Sequence, residues 1–95
     1  RAGENISPLA VENTLMNHPF VREVSVVGVS DPRVGERVKA CVILLEGVSA
    51  TEADIKEFCR KKLPLFMKPD IVRFYKAFPK TATGKVIKAQ LREDL

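Results

Sequence analysis

Tryptophan is absent from these 95 residues, and tyrosine and histidine occur once each. So few aromatic rings argue against a surface that stacks nucleic-acid bases, since the five phenylalanines fall within apolar patterns. Cysteine is scarce as well, with Cys41 in a strand-like run and Cys59 in a helical pattern. Both read as small core hydrophobes rather than as a disulfide framework or a metal site, and no metal-ligand set is predicted. Long apolar runs are missing: the longest, Ala40 to Leu45, is far short of the roughly 20 residues of a membrane span. No charged stretch followed by an apolar one opens the sequence, so no export signal is read and a reducing, cytoplasmic setting is expected. In that setting Asn5-Ile6-Ser7, which has the form of a glycosylation sequon, is read as a chance match.

What is present is an ordinary globular composition, 45% hydrophobic and 29% charged, in a chain too short to divide its apolar residues between two cores. One domain is expected. The net charge of +4 could attract nucleic acid, membrane phosphate or an anionic small molecule. Basic residues gather late, in Arg60-Lys61-Lys62, Lys68, Lys76, Lys80, Lys85, Lys88 and Arg92, and most read as solvated faces of amphipathic elements.

Ser7-Pro8 predicts a helix start, with Val11 and Leu15 on its inner stripe and an end near Asn17, before His18-Pro19. His18 reads as a cap or surface residue. Two β-prone runs, Val21 to Val29 and Arg37 to Leu45, flank Asp31-Pro32-Arg33-Val34-Gly35 and predict a hairpin. Both runs are apolar on both faces near their middles, which implies a sheet covered on both sides. Ser49-Ala50-Thr51-Glu52 has the spacing of a capping box, and Ile55, Phe58, Cys59 and Lys62-Leu63 continue at helical spacing. After Pro64 and Pro69, Ile71 to Tyr75 predicts a third strand, and a Pro/Thr/Gly loop, Phe78 to Gly84, follows. A last amphipathic helix carries Ile87, Leu91 and Leu95 on one side and Lys88 and Arg92 on another. The fold class expected is α+β, a small sheet of about three strands including a hairpin, packed with three helices. Strand order stays open.

Pro79-Lys80-Thr81-Ala82-Thr83-Gly84-Lys85 puts a lysine beside a glycine in a polar loop just before a helix. This is a plausible anion site, and a solvated loop lysine is the alternative. It is not a P-loop, which would need Gly at Pro79 and Ser or Thr at Val86.

Taken together, several ordered motifs resemble the C-terminal domain of the adenylate-forming superfamily of acyl-CoA synthetases, luciferases and peptide-synthetase adenylation domains. They are Gly3-Glu4-Asn5-Ile6-Ser7-Pro8 with Val11-Glu12, His18-Pro19 with Val21, Val26-Val27-Gly28-Val29 with Asp31-Pro32 and Gly35-Glu36, Phe66 to Pro69, and Pro79 to Lys85. The wording of the first and last is closer to acyl-CoA synthetases than to peptide-synthetase domains. The resemblance implies a ligase that joins ATP and a carboxylic acid to give an acyl-adenylate and pyrophosphate, then passes the acyl group to a thiol such as that of coenzyme A. It also implies a large N-terminal domain of the same chain, outside these residues, that binds ATP, Mg2+ and the acid, and on which the small domain swings between two poses. Alone, the 95 residues are expected to be inactive.

By the same resemblance Lys85 is the adenylation lysine, with Gly84 beside it. Gly3 and Glu4 belong to the opposite edge, presented during thioester formation, where a residue without a side chain lets the pantetheine arm pass. Relatives commonly have Gly-Gly where this chain has Ala2-Gly3. Glu12 reads as a structural anchor. Arg60 lies near where some relatives contact coenzyme A phosphates with an arginine, and a solvated helix end is its other reading. The competing function is a stand-alone basic module that binds RNA or another polyanion, which would show a steep salt dependence.

Overall fold

The computed structural model describes residues 6–94. Three helices and a three-stranded sheet make up the α+β fold expected from the sequence. Helix α1, Pro8–Leu15, begins where Ser7 Oγ accepts a hydrogen bond from the Ala10 amide at 3.1 Å, with Pro8 needing no donor in the first turn. It stops two residues before the expected Asn17. The amides of Asn17 and His18 bond three residues back, to Thr14 and Leu15, so the last turn tightens, and Pro19 has no amide to continue it. His18 caps locally: its Nδ1 accepts from the Phe20 amide at 3.0 Å, and its ring meets Phe20 and Phe58 edge-on.

Strands β1, Val21–Asp31, and β2, Gly35–Leu44, form the antiparallel hairpin. Its tip is an Asx turn in which Asp31 Oδ1 accepts from the amides of Arg33 and Val34, at 2.8 and 3.3 Å. The crossover 45–70 then carries helix α2, Glu52–Arg60, and a 3-10 turn, Leu65–Met67, to strand β3, Ile71–Phe74. Strand β3 lies parallel to β2, so the sheet order is β1-β2-β3 with β2 in the middle. A parallel neighbour requires such a long crossover. Asp70 seals the junction: its carboxylate accepts from the Val38 amide, and its own amide donates to the Val38 carbonyl, both at 2.8 Å.

The capping box of α2 sits two residues later than the sequence spacing suggested. Thr51, not Ser49, is the N-cap, and Asp54, not Glu52, returns the bond to the Thr51 amide at 2.8 Å. Glu52 instead reaches the Val72 amide and the Lys56 ammonium. Helix α2 ends at Arg60, before Lys62-Leu63, and helix α3 spans Lys88–Glu93. Leu95 lies outside the described residues.

Strand β2 explains the unbroken apolar run. Val38, Ala40 and Val42 face one core with Val11 and Leu15 of α1, Ile55 and Cys59 of α2, and Val26 and Val72. Cys41 and Ile43 face a second core with Val27, Phe78 and Leu91. Alternate side chains of one strand thus serve opposite faces, both covered, and no polar face is left to interrupt the pattern.

Candidate functional site

The loop that carries Lys85 is a built hairpin. Phe78 anchors its start in the second core, edge-on to Tyr75, and Val86 packs on the same core at its return. Between them Lys80 and Val86 pair as an antiparallel bridge, and the Ile87 amide donates to the Pro79 carbonyl at 2.8 Å. The tip closes on Thr81. Its amide donates to the Lys85 carbonyl at 2.8 Å, its carbonyl accepts from Gly84, and its hydroxyl accepts from the Lys85 amide at 3.1 Å. Gly84 has φ +89°, a left-handed value that favours glycine, and nothing stands within 4 Å of where a Cβ would go. Glycine is required here by backbone conformation rather than by crowding. Lys80 pins the loop sideways through a 3.0 Å ion pair to Glu23 on β1.

The result is a fixed backbone at Lys85 with a free side chain. Lys85 is exposed, and its ammonium has no partner among the described residues. This is a poised cation on a rigid support, able to meet anions brought to it.

Two further lysines hold α3 beneath the loop. Lys88 Nζ lies 3.0 Å from Glu12 Oε2 and 3.0 Å from the Val26 carbonyl, while the same Glu12 oxygen accepts from the Val26 amide at 2.8 Å. Glu12 is thereby the structural anchor its position suggested. Lys39 is fully buried, and its ammonium donates to Tyr75 Oη at 3.1 Å, to the Leu91 carbonyl at 2.7 Å and to the Asp94 carbonyl. Tyr75 in turn donates to Asp94 Oδ2 at 2.6 Å. All three ammonium protons are used, at the end of α3 where the helix dipole favours a cation. Burial pushes the Tyr75 hydroxyl well above its usual range, and the neighbouring Asp94 carboxylate adds to the shift. Burial likewise raises the Cys41 thiol, against the lowering effect of Lys39.

Residues 10–85 match the family described as the AMP-binding enzyme C-terminal domain. The chain belongs to this AMP-binding enzyme C-terminal domain family. Over 95 residues it is 43% identical to the mitochondrial medium-chain acyl-CoA ligase ACSF2 of Rattus norvegicus, covering all of this chain and 15% of that one. Over 91 residues it is 50% identical to the peroxisomal trans-cinnamate:CoA ligase of Petunia hybrida, covering 96% of this chain and 16% of the relative. Its fold superposes with a TM-score of 0.92 on ATP-bound MatB from Rhodopseudomonas palustris, at 33% identity, over 97% of this chain and 18% of that protein. The chain thus spans less than a fifth of the length of the proteins it matches.

As a member of this family the domain brings together only some of the residues singled out in its sequence. Lys85 and Gly84 share the loop tip. Gly3 and Glu4 lie outside the described residues. Arg60 belongs to α2, which packs on the first face of the sheet, whereas the Lys85 loop is anchored on the second. Its guanidinium is held bidentately by Glu57, with both nitrogen to oxygen distances 2.7 Å, and this pair holds the Glu57 carboxyl below its usual range. An open cavity of about 290 Å³ beside it is lined by Ala53, Lys56, Glu57, Arg60, Lys68 and Pro69. Lys62 lies over the Phe58 ring, 4.9 Å from its centroid.

No group of three or more His, Cys, Asp or Glu could hold a metal ion among the described residues, and no described helix is long and apolar enough to cross a membrane. The buried Lys39 went unnoticed in the sequence. Its one signal is a charge inside the apolar stretch from Val38 to Leu45.

Proposed function

We propose that this chain is the mobile C-terminal domain of an ATP-dependent, AMP-forming acyl-CoA synthetase and that Lys85 is its adenylation lysine. The observation that carries the reading is the free Lys85 ammonium on a backbone fixed by Thr81 and Gly84. In the first half-reaction a carboxylate oxygen attacks the α-phosphorus of ATP, forming acyl-adenylate and releasing pyrophosphate. Two anions must approach each other, and a flexible cation between them lowers their repulsion and stabilises charge in the transition state. In the second half-reaction the thiol of coenzyme A displaces AMP to give acyl-CoA.

The large domain of the same chain would supply the carboxylate pocket and the site for ATP with its Mg2+. Gly3 and Glu4 would meet the pantetheine arm during the second step. Arg60 would contact coenzyme A phosphate only after leaving Glu57, and the basic lining of Lys56 and Lys68 beside it favours that exchange.

Binding of RNA or another polyanion is the weaker reading. Lys56, Arg60, Lys80 and Lys88 are each neutralised by a carboxylate, which leaves a less concentrated positive field than the sequence suggests.

The test is Lys85→Ala in the full-length enzyme, with the half-reactions measured separately. Acid-dependent exchange of pyrophosphate into ATP should fall by about a hundredfold or more, equivalent to roughly 3 kcal/mol, while transfer from supplied acyl-adenylate to coenzyme A continues. Exchange at the parent rate would make Lys85 a surface residue.

A further inference from the structure

We infer that Lys88 and Glu12 are positioning residues for the adenylation loop, clipping it to the free edge of the sheet. The inference rests on the reading of Lys85 just given. Among the described residues strand β1 is an edge strand, hydrogen-bonded to β2 on one side. At Val26 both the amide and the carbonyl are taken up by side chains from outside the sheet, Glu12 accepting from the one and Lys88 donating to the other. Glu12 comes from α1, which packs on the first face, and Lys88 opens α3, which packs on the second. Their 3.0 Å ion pair therefore joins the two layers around the edge of the sheet.

The position of Lys88 in the sequence gives this clip its mechanical meaning. Lys88 is three residues beyond Lys85, so the loop runs between two anchors, Phe78 in the second core before it and Lys88 at the edge after it. The upstream anchor is apolar and fixes depth. The downstream one is directional, since the Lys88 ammonium must lie within hydrogen-bond reach of both the Val26 carbonyl and a carboxylate, which fixes where Val86 and Ile87 leave the loop. Without the clip α3 is still held at its far end by Lys39, and the domain still folds, but the exit of the loop can slide along β1. Catalysis by a charged side chain is sensitive to that, because a displacement of about 1 Å can cost on the order of a hundredfold in rate.

The experiment compares Lys88→Met, Lys88→Arg and Lys85→Ala in the full-length enzyme. It reads pyrophosphate exchange, acyl transfer from supplied acyl-adenylate to coenzyme A, and the thermal midpoint. Lys88→Met should lower kcat for exchange by about ten- to a hundredfold, with KM for ATP and the transfer rate changed by no more than about twofold. Lys88→Arg, which can serve both acceptors, should recover most of the exchange. The inference is overturned by full exchange in Lys88→Met. It is also overturned by a parallel fall of exchange, transfer and midpoint, which is the mark of a folding role, or by an arginine variant no better than methionine. If Lys85→Ala keeps its exchange activity, the reading of Lys85 fails and the inference falls with it. If Lys85→Ala loses exchange and Lys88→Met does not, only the clip is wrong.

Discussion

The ammonium of Lys39 donates to the carbonyl of Leu91 across 2.7 Å, joining the middle strand of the sheet to the last helix. Because Lys39 is fully buried, its removal leaves the buried carbonyl of Leu91 without its donor and takes a bond from the part-buried Tyr75 hydroxyl and Asp94 carbonyl. Lys39→Met keeps most of the stem and should destabilise the chain by roughly 3 kcal/mol, from unsatisfied acceptors and a lost cation at the helix end. For a domain of this size that lowers the thermal midpoint by on the order of 15 °C, readable by circular dichroism. A change of only a degree or two would mean that water replaces the ammonium without cost.

The box at the start of α2 gives a second, milder prediction. Thr51→Ala removes the oxygen that accepts from the Asp54 amide and should cost about 1 kcal/mol in urea unfolding. Serine at the same place should restore most of it.

Asp54 adds a dependence on pH. The bond from the Thr51 amide holds its carboxyl below the ordinary value of 3.8. A lowered folded value means that the contribution is present above the ordinary carboxylate range and is lost as pH falls toward the folded value. The stability gap between the parent and Asp54→Asn should therefore be constant near neutrality and shrink as the solution is acidified below 3.8. A gap that persists in acid would assign the effect to shape rather than charge.

Neither cysteine should behave as a reactive thiol. Burial pushes Cys59 up to about 11 and also raises Cys41, so at pH 8 the Cys59 thiolate is roughly one part in a thousand. Iodoacetamide should leave the folded chain unmodified by mass and add two groups once it is unfolded in guanidinium. Rapid labelling of the native chain at either position would contradict the burial of both side chains.

Gly84→Ala isolates the shape of the loop from its charge. An alanine at φ +89° has space for its methyl group but pays about 1 to 2 kcal/mol in backbone strain. The strain is relieved most easily by opening the Thr81 turn, so the full-length enzyme should lose pyrophosphate exchange by about tenfold while its thermal midpoint moves little. Unchanged exchange would show that the turn need not be closed for Lys85 to work.

Much of this was legible in the sequence because local chemistry decided it. Ser7-Pro8 started a helix, Asp31 to Gly35 made a turn, and the apolar middle of β2 reported a sheet covered on both sides. The places where reading failed are those where two residues far apart decide between local options. The capping box was read at Ser49 with Glu52, but Thr51 with Asp54 forms it, and Glu52 is drawn off by Val72 from another element. The parallel pairing of β3 with β2 and the burial of Lys39 depend on contacts across more than thirty positions, which no local pattern encodes. Lys85 and Gly84 were singled out through the resemblance that their loop carries, whereas the clip from Lys88 to Glu12 spans 76 positions and needed the folded chain.

The burial of Lys39 also sets an order of events on the ribosome. Its last acceptor, the Asp94 carbonyl, is made 55 residues later, several seconds at ordinary rates of elongation. For most of that interval the ammonium of a nascent chain has water alone or, once residue 75 is made, water and the Tyr75 hydroxyl. Its second face must stay wet while α1 and α2 can already close over the first. Newborn copies of this domain are therefore half-lidded until residues 88–94 emerge, and their exposed side is the one beneath the Lys85 loop.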